Sequence, residues 1–172
     1  YIPFGAVAVS AEINAPFESG ETHFIHGFTN GGHPLGCAAG SELIDIIRDE
    51  NLLENCRKQS EVLFSYREQL LAHPTVRDVR GWGLMMVLEL IKDKESLDFF
   101  DSSLQAEKLY SAITLKHGLV MYGSLYGPRR QAAFKRGLPS WISPPLTISG
   151  EEMHDLMGRL DNALSEWESI VL

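Results

Sequence analysis

The sequence predicts an α/β fold in two parts, and three observations support this prediction. A short Ala/Val-rich run near the N-terminus is followed by a glycine-rich turn and an amphipathic helix. Farther along, two strand-like runs lie between helical patterns, which is typical of a compact α+β domain. The helical pattern is interrupted near Asp49, so we predict one domain over residues 1–48 and a second over residues 49–172.

The composition is that of an ordinary soluble protein and excludes some functions. The chain has 172 residues, 44% of them hydrophobic and 22% charged, and a net charge of −8. This acidic balance argues against nucleic acid as a partner, since no basic surplus is present to neutralise phosphates. The apolar run Tyr1–Val9 is too short for a membrane span and follows no basic segment. Cys37 and Cys56 lack a CxxC partner, which favours a reduced, cytoplasmic setting.

The first part should contain a buried strand, a loop and a helix. The Ala/Val-rich segment Phe4–Ile13 predicts the strand, and the polar segment Pro16–Thr22 predicts the loop. Apolar residues at helical spacing predict a helix over Leu35–Arg48. Small residues keep the start of this helix thin, so that another backbone, of a dimer partner or of the cofactor loop, can approach it: Gly36, Ala38, Ala39 and Gly40. Tight packing within one subunit is the alternative.

The second part should begin with a long helix and a pair of strands. An apolar stripe predicts a helix over Leu52–Ala72, which the pair His73 and Pro74 ends because the residue before proline disfavours the α region. The segments Val76–Val79 and Leu84–Ile91 read as strands on either side of a glycine bend.

Capping patterns locate two more helices. Ser102 and Gln105 fit a capping box for a helix that ends near His117, with Gly118 just beyond it. Leu119–Tyr122 then reads as a short strand.

The chain should close with a strand and a long amphipathic helix. Leu138–Ser143 predicts the strand, and Ser149 with Glu152 forms a second capping box. The last helix has the clearest apolar stripe, formed by Met153, Leu156, Met157, Leu160, Leu164 and Trp167.

The stretch His26–Pro34 (HGFTNGGHP) is the main candidate for a binding site. Its glycines allow positive φ and close approach of a ligand, and Thr29 offers a hydroxyl and an amide to an anion. A bend with exposed N–H groups before a helix is a plausible phosphate cradle. A tight surface turn with no ligand is the alternative.

These residues resemble a known family. The run HGFTNGGHPLGCAAG is similar to a segment of class III aminotransferases, pyridoxal-phosphate enzymes of fold type I, whose usual pattern is H-G-F-T-Y-S-G-H-P. Asn30 and Gly31 stand where that pattern has Tyr-Ser. The segments Val79–Met85 (VRGWGLM) and Ser143–Leu146 (SPPL) resemble two further family motifs, in the same order along the chain.

The resemblance implies a fold, a cofactor and a site. The chain would comprise the C-terminal end of the large domain, with the strand, the phosphate loop and a helix, and the small C-terminal α+β domain. The cofactor would be pyridoxal 5′-phosphate. Thr29 would contact the cofactor phosphate of the neighbouring subunit, with Phe28 beside it in the binding set, so the active site would be shared within a homodimer.

The catalytic lysine is expected outside this chain. Pyridoxal-phosphate chemistry needs a lysine for the Schiff base. The six lysines here lie on polar helix faces or charged loops, where a solvated surface lysine is expected: Lys58, Lys92, Lys94, Lys108, Lys116 and Lys135. In the family, the Schiff-base lysine precedes the strand matched here, so we expect it upstream of Tyr1. The chain would then be a C-terminal piece of a longer protein, inactive alone.

A basic loop is the candidate for substrate binding. An arginine can grip a carboxylate with two parallel hydrogen bonds, and Arg129, Arg130 and Arg136 lie close together in the sequence. Many family members carry such an arginine near the position of Tyr122. A solvated basic loop with no ligand is the alternative.

Other candidates have simpler explanations. Three imidazoles, those of His23, His26 and His33, invite a zinc site, but their spacing matches no known zinc pattern. Hydrogen bonds in the turn and at the helix start are favoured for His26 and His33. Arg80 should hold the strand entry by ion pairing. The three tryptophans are expected in the core: Trp82, Trp141 and Trp167.

The leading hypothesis is part of a transaminase that moves an amino group from an amine or amino acid to a keto acid such as pyruvate. An aminomutase or decarboxylase of the same family is one alternative. A non-catalytic fold fragment or interaction domain is another, and a metallohydrolase that uses the three histidines is the most distant.

Overall fold

The computed structural model describes residues 2–100, 103–121 and 137–172. They form two compact units, one up to Asn51 and one from Leu52 onward. The assignment of residues 1–48 and 49–172 to two domains of a larger enzyme stays a prediction. No helix in the described ranges is long and apolar enough to cross a membrane.

The first unit begins with a helix where a strand was expected. Helix α1 spans Ala11–Glu18, and residues 2–10 form no regular element. The prediction of a strand over Phe4–Ile13 is therefore wrong, and the loop predicted over Pro16–Thr22 begins only after Glu18. The reason is local, because Ser10 caps the helix by accepting a hydrogen bond from the Ile13 amide at 3.3 Å. Among the described residues of the first unit, none form a strand that could pair with residues 2–10.

Helix α2 spans Pro34–Asp49 and confirms the helix predicted over Leu35–Arg48. The group that approaches its thin start is the ring of Phe4. A Cβ atom at Gly40 would lie 2.6 Å from the Phe4 ring, and one at Gly36 would lie 3.3 Å from it. These two glycines are the buried residues of α2. Small residues here therefore allow an aromatic side chain to lie directly on the helix backbone.

The second unit is a three-stranded antiparallel sheet with helices packed against it. Its elements are α3 (Leu52–Ser65), α4 (Arg67–Ala72), β1 (Val76–Trp82), β2 (Met85–Leu90), α5 (Ser103–Lys116), β3 (Leu138–Ile142) and α6 (Gly150–Val171). The long helix predicted over Leu52–Ala72 is divided in two at Tyr66, and it ends before His73 and Pro74 as expected.

The sheet has the order β1-β2-β3 and a tight hairpin between its first two strands. Val79 pairs with Leu88, and Leu88 pairs with Ser140. The two residues between β1 and β2, Gly83 and Leu84, make the turn, with Gly83 at φ +58°. The apolar residues of β2 that alternate along the strand are fully buried: Met86, Leu88 and Leu90.

Helix α6 supplies much of the core. The capping box predicted from Ser149 and Glu152 is present, with both reciprocal hydrogen bonds. Five of the six stripe residues are buried, and Leu156 is partly buried. Trp167 is fully buried, and its indole nitrogen donates to the Ala106 carbonyl at 3.1 Å, which joins α6 to α5.

The end of α5 confirms one prediction and overturns another. Gly118 has φ +79°, and the amides of Gly118 and Leu119 donate to the carbonyls of Leu115 and Thr114, which is a Schellman ending. The strand predicted over Leu119–Tyr122 is wrong for residues 119–121, because Leu119 completes the helix cap rather than a ladder. The capping residue Ser102 lies outside the described residues.

The predicted roles of Arg80 and the tryptophans are partly confirmed. Arg80 pairs with Asp78 and with Glu89 across the hairpin, as expected. Trp167 is in the core, but Trp82 is 90% exposed at the end of β1, so the prediction of a core residue there is wrong. Trp141 on β3 is 37% exposed, so the prediction of a core residue is wrong there too. Trp82 is the last residue of β1, directly before the hairpin turn.

Candidate functional site

The stretch His26–Pro34 forms two consecutive turns that lead into α2. The amide of Gly31 donates to the Phe28 carbonyl at 3.0 Å, and the amide of His33 donates to the Asn30 carbonyl at 3.3 Å. Gly32 lies in the left-handed region at φ +68°, which favours glycine. Thr29 therefore occupies the second position of the first turn, where its side chain is exposed.

Thr29 has both of its donors free for a ligand. Within the described part of the chain, neither its hydroxyl nor its amide has a hydrogen-bond partner. The segment from Thr22 to Ser41 also contains no aspartate, glutamate, lysine or arginine. An anion at this turn would thus meet N–H and O–H donors and no carboxylate from the same segment. The donor set fits a phosphate group.

The hydrogen bond expected of His33 at the helix start is present, whereas the side chain of His26 makes ring contacts where a hydrogen bond was expected. Nδ1 of His33 accepts a hydrogen bond from the Gly36 amide at 3.4 Å and so caps α2. The ring of His26 lies between those of Phe24 and Phe28, with centroid separations of 5.6 Å and 6.0 Å. The structure brings no three His, Cys, Asp or Glu side chains of the described residues into a metal-binding group.

No lysine accompanies the candidate site in its own unit, since the sequence has none before Lys58. Lys94 donates to the carbonyls of Leu71 and His73, and Lys116 pairs with Glu166. Lys58 and Lys108 are exposed, and Lys135 lies outside the described residues. The turn therefore offers donors for a phosphate, and the unit that contains it has no lysine.

A cleft of about 400 Å³ lies in the second unit. Leu119 and Met121 after α5, Pro144 after β3 and Leu156 on α6 contribute to its wall. The predicted substrate arginines Arg129, Arg130 and Arg136 belong to the sequence between Met121 and Gly137 and lie outside the described residues.

The structure also contains a polar cluster that the sequence patterns did not indicate. His73 lies between two carboxylates of α6, with Nδ1 at 2.8 Å from Oε2 of Glu168 and Nε2 at 3.0 Å from Oδ1 of Asp161. Glu168 is buried, and its Oε1 also accepts from the amide and hydroxyl of Thr75 at 3.0 Å and 2.6 Å. One signal was available, because Glu168 follows Leu164 by four residues and so falls on the apolar face of α6.

Hydrogen bonding sets the pKa of each group in this cluster. The hydrogen bond to Glu168 raises the pKa of His73, burial opposes it, and the bond to Asp161 adds to the rise. Burial alone would raise the pKa of Glu168, but donors from His73 and Thr75 outweigh it and lower that pKa. The pKa of Asp161 is lowered in the same way, against the effect of burial, by His73 and Gln69.

Comparison with known proteins gives consistent results along nearly the whole chain. The family model for aminotransferase class-III matches residues 2–164. A putrescine–pyruvate aminotransferase of Pseudomonas aeruginosa is 32% identical over 173 residues, which are 100% of this chain and 35% of that protein.

Solved structures show the same similarity. An (S)-enantioselective omega-transaminase from Thermomicrobium roseum is 32% identical, with a TM-score of 0.76 over 92% of this chain and 33% of that one. A PMP-bound aminotransferase from Vibrio fluvialis is 28% identical, with a TM-score of 0.74 over 93% of this chain and 32% of that one. The chain thus spans about a third of the length of the relatives that it matches.

Proposed function

The chain belongs to the class III aminotransferases, and we propose that the protein containing it transfers an amino group from an amine or amino acid to a keto acid such as pyruvate. The observation that carries this proposal is the family match over residues 2–164. The putrescine–pyruvate aminotransferase, similar over the full length of this chain, supports pyruvate as the acceptor.

The proposed cofactor is pyridoxal phosphate, which supplies an electron sink for the bonds broken at the amino-bearing carbon. PMP-bound and PLP-bound forms of the Vibrio fluvialis aminotransferase support this choice. In this chain, the hydroxyl and amide of Thr29 would each donate to a phosphate oxygen. The ring of Phe28 lies over Gly31 in the same turn and would bound one side of the phosphate position.

Cofactor binding and proton transfer are proposed to depend on different segments of the protein. Thr29 would bind and orient the cofactor phosphate, but it has no group that could take up or deliver a proton at neutral pH. The lysine for the chemistry is proposed to come from the part of the protein that lies outside this chain. We propose a homodimer in which Thr29 faces the cofactor of the neighbouring subunit, in keeping with its exposure here, and a cytoplasmic location.

Arg129, Arg130 and Arg136 are proposed to include the residue that holds the substrate carboxylate. Met121, which contributes to the cleft wall, precedes this basic segment in the sequence. A guanidinium near the cleft would bind one end of a keto acid with two parallel hydrogen bonds.

The experiment that tests the function supplies the full-length protein with pyridoxal phosphate, an amine donor and pyruvate. Alanine should form in equal amount to the carbonyl product of the donor, and none should form when pyruvate is omitted. Three results would contradict the proposal: an isomerised amino compound without need of pyruvate, release of carbon dioxide, or no reaction although the cofactor is bound.

A further inference from the structure

The corner between α4 and β1 is joined to α6 by one imidazole and two carboxylates. His73 ends α4, Thr75 precedes β1, and both contact Glu168 on α6. Asp161, which is also on α6, contacts the other ring nitrogen of His73. The side chain of His73 is 9% exposed, so water contributes little to its hydrogen bonding.

The count of donors favours a doubly protonated ring. An ionised carboxylate only accepts hydrogen bonds, whereas a neutral imidazole carries a single N–H. A neutral His73 would therefore turn one lone pair toward a carboxylate oxygen at 2.8 Å or 3.0 Å. The imidazolium donates to both oxygens and removes this repulsion.

The surroundings of the carboxylates favour their ionised forms. Glu168 receives two hydrogen bonds from Thr75, and Asp161 receives one from Nε2 of Gln69 at 2.9 Å. From the segment after β2, Lys94 reaches the backbone carbonyl of His73 at 2.5 Å rather than its ring. The charged groups that face the ring are therefore Asp161 and Glu168 of α6. Gln69 of α4 is neutral, and the ammonium group of Lys94 is bound by the backbone carbonyls of Leu71 and His73.

We propose that His73 is a proton-dependent latch, which holds the α4–β1 corner against α6 while the imidazole carries both protons and releases the corner when one is lost. Loss of a proton removes one of the two hydrogen bonds that the ring donates. The other ring bond, the bonds from Thr75 to Glu168 and the bond from Gln69 to Asp161 then remain between the corner and α6.

The direction of the pH effect follows from linkage. Because the pKa of His73 is raised in the folded state, its stabilisation is complete below the unfolded pKa of about 6.5 and is lost as pH rises through the folded value. The pKa values of Glu168 and Asp161 are lowered, so the stabilisation that these carboxylates contribute is lost only when the pH falls into the acid range. The latch should therefore weaken on the alkaline side of about pH 6.5.

Hydrogen exchange of the full-length protein, followed by mass spectrometry, tests the latch. The reporters are the amides of Thr75, which donates to Glu168, and of Ile91, which donates to the Thr75 carbonyl at 2.8 Å. After correction for intrinsic exchange, opening at these amides should increase in the wild type by up to about tenfold per pH unit between the unfolded and folded pKa values of His73.

Two variants separate the latch from general alkaline loosening. His73→Gln should abolish the pH dependence at these two amides. His154→Gln removes an exposed histidine of α6, one that contacts Tyr66, and should leave the dependence unchanged. A wild type without the rise, or a His73→Gln protein that retains it, would overturn the proposal.

A milder variant covers the case in which His73→Gln does not fold. Asp161→Asn keeps the ring and Glu168 but removes one negative charge, so the rise in opening with pH should become smaller than in the wild type. A rise equal to that of the wild type would also overturn the proposal.

Discussion

The hydroxyls of Tyr110 and Ser140 form a buried hydrogen bond of 2.8 Å that joins α5 to β3. Tyr110 is 4% exposed and Ser140 is fully buried. Each hydroxyl is the partner of the other in a place that water does not reach, so the bond joins α5 to an edge strand of the sheet.

Removing one hydroxyl of this pair should lower the free energy of unfolding by more than the hydrogen bond itself contributes, because the other hydroxyl is left buried without a partner. Ser140→Ala leaves the phenol of Tyr110 buried without a partner, which costs about 1–3 kcal/mol, and Tyr110→Phe does the same to Ser140. The double variant leaves no orphan, so its loss in free energy of unfolding should be smaller than the sum of the single losses. Chemical denaturation of the four proteins measures this. Additive losses would show that the two hydroxyls do not depend on each other.

Tyr110 should also make the fold sensitive to alkali. Burial raises the pKa of Tyr110 to about 12, and the bond with Ser140 opposes this only in part. A raised pKa means that stability is intact below the unfolded value of about 10 and is lost as pH rises toward the folded value. Between about pH 9 and about pH 11, the free energy of unfolding should fall less in Tyr110→Phe than in the wild type. Equal losses in the two proteins would contradict this origin.

Two glycines of the second unit should respond in opposite ways to alanine. A Cβ at Gly81 would lie near the Met85 carbonyl of the paired strand, with φ at +156°, so Gly81→Ala has to distort the hairpin. Gly158, inside α6, has open space around its Cα, so Gly158→Ala should stabilise the helix by about 0.5–1 kcal/mol. Thermal denaturation of both variants tests the contrast. Destabilisation by Gly158→Ala, or none by Gly81→Ala, would contradict the structure of these positions.

Patterns that depend on local chemistry were readable from the sequence. The stripe of α6, its capping box and the glycine after α5 each follow from side chains a few residues apart, and the structure confirms them. The two strands around Gly83 were also predicted, because apolar alternation and a tight turn are encoded within the hairpin itself.

The errors have a common physical cause, which is that burial and strand pairing depend on distant neighbours. The run Phe4–Ile13 has strand-like composition, but the structure gives residues 2–10 no paired strand, and the Ser10 cap begins a helix. Trp82 has the apolar character of a core residue, yet the turn places it in solvent. His73 and Glu168 are 95 residues apart in the sequence, and no pattern near His73 predicts their contact.

The proposed substrate arginines can be separated by kinetics. Arg129→Ala, Arg130→Ala and Arg136→Ala should be compared in the full-length protein, and loss of a bidentate carboxylate contact should raise the apparent KM for the keto acid by about tenfold or more. Arg57→Ala is the matched control, because Arg57 is an exposed arginine paired with Glu54 on α3. If all three variants have the KM of the control, the carboxylate is held elsewhere.

The central claim, that the turn His26–Pro34 holds the cofactor phosphate, is tested most directly by the cofactor affinity of Thr29 variants of the full-length protein. Thr29→Ala removes the hydroxyl, and Thr29→Ser retains it. We expect the Kd of pyridoxal phosphate to rise by about tenfold to a hundredfold in Thr29→Ala and to change little in Thr29→Ser. An unchanged Kd in Thr29→Ala would contradict it.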